Sequence, residues 1–214
     1  MYAIASSGGK DSTFALYHAQ KNSFRITHLF HIYNPETSRV RFHGYSPSLI
    51  AEQARSMGLK SIIMPTRTEE FDEDFKLALE KVKQLGLKGI VFGNISLLDV
   101  REFYETRVNA VGLEYYDILW GQSKKSILHN FIENGFKAII TSIWLKRLNR
   151  SYLGREIDEG FLKDVEKEEG VDICGEDGEY HSLVHDGPCF IKPLPYRVCG
   201  IHEEMENIFL DVRE

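Results

Sequence analysis

The feature that most constrains the fold of this chain is an alternation of short, apolar, β-rich runs with stretches of helical periodicity. The runs are Tyr2 to Ile4, Ile26 to Tyr33, Ser61 to Met64, Ile90 to Phe92, Glu114 to Trp120 and Ala138 to Trp144. Between them, Phe14, Ala15, Tyr17 and Ala19 mark one helical face, and Ala51, Ala54 and Met57 mark a second behind Ser46-Pro47. Phe71, Phe75, Ala78, Leu79 and Val82 mark a third. Ser96-x-x-Asp99 reads as a capping-box start for a fourth helix reaching about Gly112, and a fifth is expected from about Lys125 to Asn134. Six β-runs separated by helices predict an α/β fold: a doubly wound, mainly parallel, Rossmann-like sheet covered on both faces. Ligands of such sheets lie outside the carboxyl ends of the strands. Ser7 to Ser12, Gly93-Asn94 and Trp120-Gly121, which follow the first, fourth and fifth runs, are therefore expected to line one cleft.

Beyond Trp144 the pattern changes to a basic connection, a short helix near Glu159 to Glu169, and strand-like pieces punctuated by Gly and Pro. Tyr196 to Ile201 and Asn207 to Val212 read as an antiparallel hairpin. The expected organisation is a nucleotide-binding domain over 1–145 and a smaller C-terminal α+β portion over 146–214, with no low-complexity linker and no internal repeat. The longest apolar runs are strand-length and the chain opens on a strand, so neither a membrane span nor a signal peptide is expected. The expected location is cytoplasmic.

The chain has 26 basic against 32 acidic residues, a net charge of −6, which disfavours broad phosphate neutralisation on nucleic acid. One local basic cluster, Lys146, Arg147, Arg150 and Arg155, follows the sixth run and reads as a solvated face, a grip on one anion or a nucleic-acid patch. Cys174, Cys189 and Cys199 are odd in number and contain no C-x-x-C pair, which argues against a disulfide framework, a zinc ribbon or a persulfide relay. Their expected role is that of small buried hydrophobes.

Ala5-Ser6-Ser7-Gly8-Gly9-Lys10-Asp11-Ser12 joins the first run to the first helix. Adjacent glycines let the backbone approach a ligand, and the first N–H groups of the helix are left without intrahelical partners, which suits an anion. Lys10 adds positive charge, the hydroxyls of Ser7 and Ser12 can donate to phosphate oxygens, and Asp11 can help hold magnesium. The ordinary P-loop fails, because it requires Gly at Ile4 and Ser or Thr at Asp11. A second motif, Asp172 to Ser182, packs carboxylates between two glycines and a histidine. Glu176 and Glu179 could hold magnesium or an amine and His181 could act as acid or base, or the segment is a solvated acidic turn at Asp177-Gly178.

The Ser-Gly-Gly-Lys-Asp-Ser loop resembles that of the PP-loop ATP pyrophosphatases. Together with Phe42-His43-Gly44, Gly93-Asn94-Ile95, Leu119-Trp120-Gly121, Tyr152-Leu153-Gly154-Arg155, Gly175-Glu176-x-Gly178-Glu179-Tyr180 and Asp186-Gly187-Pro188, it is similar, over almost the whole chain, to the diphthine-ammonia ligase family. The resemblance implies a PP-loop fold and an AMP-forming amide ligase. ATP would be attacked at its α-phosphate by a carboxylate, releasing pyrophosphate, and ammonia would then displace AMP from the acyl-adenylate. In that family the carboxylate belongs to diphthine on translation elongation factor 2.

Carried over by motif, the resemblance assigns ATP to Ser6, Ser7, Gly8, Gly9, Lys10, Asp11, Ser12, Gly93 and Asn94, with Mg2+ at Asp11. It assigns catalysis to Lys10, Asp11, Glu176, Glu179 and His181. Substrate contacts fall to His43, Trp120, Gly121, Arg155, Glu176, Asp177, Gly178, Glu179 and Tyr180. The chain departs from the family pattern Gly-Glu-Gly-Gly-Glu-Tyr/Phe-Glu-Thr at Asp177 and at His181-Ser182, which is similar to a His-bearing sister branch linked to cobalamin salvage. A nucleotide-binding regulatory module and a tRNA-modifying enzyme built on the same loop are the other readings. The sequence leaves a homodimer open.

Overall fold

The computed structural model describes residues 1–40 and 42–214. Its first sheet is built from β1 (Tyr2–Ala5), β2 (Ile26–Tyr33), β3 (Lys60–Pro65), β4 (Gly89–Phe92) and β5 (Glu114–Asp117), in the order β3-β2-β1-β4-β5. Every pairing in it is parallel. The crossovers are α1 (Lys10–Lys21), α2 (Pro47–Ser56), α3 (Phe71–Gln84) and α4 (Leu98–Ala110).

Side chains alternate across a strand, and the alternation assigns each face its own core. Ile4, Leu29 and Val91 enter one cluster with α1 and α2, whereas Ala3, Phe30, Ile90 and Phe92 enter another with Phe75, Ala78, Leu79 and Val82 of α3. Both faces are thus covered, as the apolar runs require.

After α5 (Lys124–Glu133) the chain builds a second sheet, from β6 (Lys137–Trp144), β7 (Tyr180–Asp186), β8 (Arg197–Glu204) and β9 (Asn207–Arg213), in the order β7-β6-β9-β8. Its pairings are antiparallel. This corrects the reading of six parallel strands. The sixth run, β6, lies in the interior of the antiparallel sheet, where Ala138 to Ile143 are all buried, so it is as continuously apolar as a parallel strand. Ile139, Ile140, Leu183, Val184, Ile208 and Leu210 of this sheet share one hydrophobic cluster with β1, α1 and α2. Each such fully buried aliphatic side chain contributes about 1.5–3 kcal/mol.

The hairpin expected near the C-terminus is β8–β9. Two local expectations change. The helix expected from Glu159 to Glu169 is the shorter α6 (Glu159–Val165), capped by Asp158, whose Oδ1 accepts from the Phe161 amide at 2.7 Å. The capping box at Ser96 does not form: α4 starts at Leu98 without a side-chain cap, and the Ser96 hydroxyl lies 3.5 Å from Oε2 of Glu176 instead.

Candidate active site

A cavity of about 370 Å3 opens at the carboxyl ends of β1, β2 and β4, where the strand order turns back on itself. One wall is the β1–α1 turn. Gly8 adopts φ +88, and a Cβ there would meet the Tyr45 hydroxyl at 2.9 Å and Ile50 Cδ1 at 2.7 Å, so the turn requires glycine. Its conformation is fixed by the Gly8 amide donating to Ser6 Oγ at 3.0 Å and by Ser12 Oγ donating to the Gly9 carbonyl at 3.1 Å. The amides of Gly9, Asp11 and Ser12 donate to no other described residue, leaving an N–H cluster at the start of α1. Gly93, after β4, must also be glycine, because an added Cβ would lie 2.8 Å from the Asp11 carbonyl oxygen.

The opposite wall is the acidic loop before β7. It is neither solvated nor loosely held. Glu179 is fully buried, and its two carboxylate oxygens accept from the amides of Asp172 at 2.7 Å and Asp177 at 3.1 Å. Asp172 in turn accepts from the Cys174 amide at 2.8 Å and pairs with Lys124. The two walls meet at Lys10. Its backbone amide donates to Ser182 Oγ at 3.2 Å, while its buried ammonium donates to Asp11 Oδ2 at 2.9 Å and to the Cys174 carbonyl and lies 5.0 Å from the centre of the Tyr180 ring. Burial by itself would lower the Lys10 pKa, but the Asp11 carboxylate raises it, so Lys10 stays charged.

Glu176 is poised differently from the imidazoles. Burial, then the neighbouring Asp11 carboxylate, pushes Glu176 up to about 7. His181 is lowered to about 4 by burial and by Lys10, and His31 to about 4 by burial. His43 is also lowered, by burial and then by His181. All three imidazoles are therefore neutral at pH 7, each with one N–H donor and one acceptor nitrogen. The rings of His43 and His181 are 4.7 Å apart, and Phe42 stacks on His181 at 5.9 Å.

Of the residues singled out in the sequence, the cavity brings together Ser6, Ser7, Gly9, Lys10, Asp11, Ser12, His43, Gly93, Asn94, Glu176, Tyr180 and His181. Gly8, Trp120, Gly121, Arg155, Asp177, Gly178 and Glu179 are not among its lining residues. The expected contribution of Trp120-Gly121 to the cleft is corrected: β5 ends at Asp117, and the following turn is tied down by the Gly121 amide bonding the Ile95 carbonyl at 2.9 Å. Trp120 faces Arg101, whose guanidinium lies 4.6 Å from the ring centre. Arg155 pairs with Asp164 at 3.1 Å.

The remaining basic cluster is satisfied within the chain too. Lys146 pairs with Glu206, Arg150 with Glu203, and Arg147 donates to the Gly170 carbonyl. Cys174 and Cys189 are buried as expected, while Cys199 is exposed.

Sequence reasoning missed the supports beneath the phosphate turn. Tyr45 donates to the Ser7 carbonyl at 2.6 Å. Gln53, with no exposed surface, donates to the carbonyls of Gly8 at 3.0 Å and Val184 at 2.7 Å, joining the turn to β7. His31 holds the Ser6 carbonyl through Nδ1–H at 2.8 Å. Gln53 on the apolar face of α2, and His31 in the apolar run of β2 that also holds His28, were the only signals. An aromatic wall of Phe30, Phe71, Phe75, Phe92 and Tyr104 also went unread, because helical spacing assigned the α3 phenylalanines to the core.

The strand order and the glycine-rich turn at the carboxyl end of the central strand define an α/β protein of the PP-loop type. Residues 1–115 match the family model for the diphthamide synthase N-terminal domain and residues 123–212 that for the diphthamide synthase C-terminal domain. The chain belongs to the diphthamide synthase family. Similar curated proteins include the diphthine–ammonia ligase of Bos taurus, 30% identical over 130 residues that make up 59% of this chain and 47% of that protein. The diphthine–ammonia ligase of Rattus norvegicus is 24% identical over 217 residues, 90% of this chain and 81% of that protein. That of Schizosaccharomyces pombe is 24% identical over 210 residues, 88% of this chain and 34% of that protein. The matched region thus spans about half of the bovine relative and about a third of the yeast one.

Proposed function

We propose that this protein is an ATP-dependent, AMP-forming carbon–nitrogen ligase. A substrate carboxylate attacks the α-phosphorus of ATP, the bond to the β,γ-pyrophosphate breaks, and ammonia then attacks the acyl-adenylate carbonyl, giving an amide and AMP. The observation that carries this reading is Lys10, which joins the N–H cluster of the phosphate turn to the acidic loop in one cavity. The Gly9, Asp11 and Ser12 amides hold phosphate oxygens, and Lys10 offsets charge on the departing pyrophosphate. Glu176, with a pKa near neutrality, takes up a proton from the attacking ammonia.

Magnesium fits at Asp11. Oδ1 of Asp11 is buried without a hydrogen-bond partner, while Oδ2 is held by Lys10. Among the described residues no three His, Cys, Asp or Glu side chains converge, which suits an ion held mainly by phosphate oxygens and one carboxylate. When bound, the ion neutralises triphosphate charge and polarises the phosphorus under attack.

His181, where the diphthine-ligase pattern carries a carboxylate, presents a neutral ring stacked on Phe42 and tilted against His43. The wall that would meet the carboxylate substrate is thus less negative than that pattern implies. The carboxylate is diphthine on elongation factor 2 or the substrate of the His-bearing branch. Titration with Mg–ATP, followed by AMP release with ammonium and candidate carboxylates, tests the proposal. The expected result is ATP binding and carboxylate-dependent AMP; AMP release independent of any carboxylate sinks it. Asp11→Ala is expected to abolish turnover with the fold retained but the thermal transition lowered, because the buried Lys10 ammonium loses its carboxylate partner, checked by AMP assay and circular dichroism.

A further inference from the structure

Asn94 follows β4 and lines the cavity next to Gly93, which packs against the phosphate turn, and its amide is fixed by groups outside the cavity. Nδ2 donates to Asp117 Oδ1 at 3.0 Å and to the Tyr115 hydroxyl at 2.9 Å. The Tyr115 hydroxyl spends its own hydrogen on Asp117 Oδ2 at 2.6 Å, so it can only accept from Asn94. A carboxylate likewise accepts only. Both hydrogens of the Asn94 amide are therefore consumed, and the amide has one orientation. Asp117, whose side chain is 1% exposed, is anchored in turn by Arg101 at 3.7 Å, and Arg101 packs over Trp120. Neither Asp117 nor Tyr115 lines the cavity, whereas Asn94 does.

We infer that Asp117 is a positioning residue that forces Asn94 to present its carbonyl oxygen to the cavity, where it selects a hydrogen-bond donor on the nucleoside of the bound nucleotide. An acceptor at this place requires an N–H or O–H group. The ionised triphosphate has none, and an ionised carboxylate substrate has none. A ribose hydroxyl and the adenine amino group are the donors ATP carries. The inference rests on the ATP reading above and adds to it a reason for selecting the nucleoside rather than the phosphates alone. It also accounts for the Trp120 motif, which acts three residues along from Asp117 through Arg101 rather than by touching the ligand.

The test is calorimetric titration of the full chain with Mg–ATP, 2′-deoxyATP, 3′-deoxyATP and ITP, for wild type, Asn94→Ala, Asp117→Asn and the double variant. Wild type is expected to bind one of the three analogues about tenfold more weakly than ATP, and that analogue names the donor: a ribose hydroxyl for the deoxy forms, the amino group for ITP. Asn94→Ala is expected to lose about tenfold for ATP and to bind the disfavoured analogue as well as it binds ATP. Asp117→Asn, free to let the Asn94 amide turn over, is expected to lose discrimination in the same direction, and to add nothing in the Asn94→Ala background. A merely structural role for Asp117 would weaken binding in both backgrounds and leave the discrimination intact, which overturns the inference. ATP binding unaffected by Asn94→Ala, as expected if the carbonyl meets ammonia instead, also overturns it while leaving the ATP reading in place. Failure of wild type to bind any of the four nucleotides sinks both.

Discussion

The phosphate turn and the acidic loop face each other across one cavity and are held by different groups. Residues 6–12 are shaped locally, by two glycines, serine hydroxyl bonds and a helix start, and are supported from beneath by His31, Tyr45 and Gln53, which hold the carbonyls of Ser6, Ser7 and Gly8. Residues 172–179 fold around a buried carboxylate, Glu179, and reach Lys10 through contacts more than 160 positions apart. The comparison shows why two glutamates three residues apart differ. Glu179 is spent on holding the loop, which leaves Glu176 facing the cavity with an elevated pKa.

The largest expected effect comes from removing the anchor of the acidic loop. Glu179→Leu leaves the Asp172 and Asp177 amides without acceptors and should cost about 2–5 kcal/mol, while Glu179→Gln, which keeps one acceptor oxygen, should cost about half of that. Urea unfolding checks the order; equal midpoints for wild type and Glu179→Leu would mean that the loop holds itself. On the phosphate-turn side, Gly93→Ala pushes a methyl group against the Asp11 carbonyl and should cost about 1–3 kcal/mol together with most ATP affinity. Denaturation and nucleotide titration on the same preparation separate the two losses.

Glu176 offers a smaller and pH-dependent difference. Its folded pKa, about 7, lies above its ordinary carboxylate value, so the stability it contributes is present in acid and is lost as pH rises through about 7. Glu176→Gln should therefore match wild type near pH 5 and exceed it at pH 8, as read from urea midpoints without nucleotide. His31 and His181 carry the opposite sign. Lowered to about 4, they contribute stability above their ordinary value of 6.5 that is lost as pH falls through about 4, a loss that Glu176→Gln should leave in place. The smallest effect belongs to neither wall: Arg150→Ala removes an exposed pair with Glu203 and should change stability by less than about 1 kcal/mol in a thermal melt.

Much of this was legible in the chain itself. The five parallel strands, the crossover helices and the β8–β9 hairpin follow from period and from breakers, which act over a few residues and leave a local trace. The phosphate turn was legible for the same reason, since its geometry needs particular residues at adjacent positions. The glycines, Lys10 and Asp11 determined by themselves that an anion can be held there.

Tertiary structure decided the rest. It moved β6 into the antiparallel sheet, because burial on both faces gives the same apolar run whichever way the neighbours point. It placed Trp120 behind Arg101, and it gave His31, Tyr45 and Gln53 their work beneath the turn, through bonds to backbone carbonyls that leave no pattern in sequence. The roles of Glu176 and Glu179 were also decided there. Both are glutamates in one motif, and only the fold of the loop, which aims two of its own amides at Glu179, and its contact with the distant Lys10 determine which carboxylate is taken up by the loop and which faces the cavity.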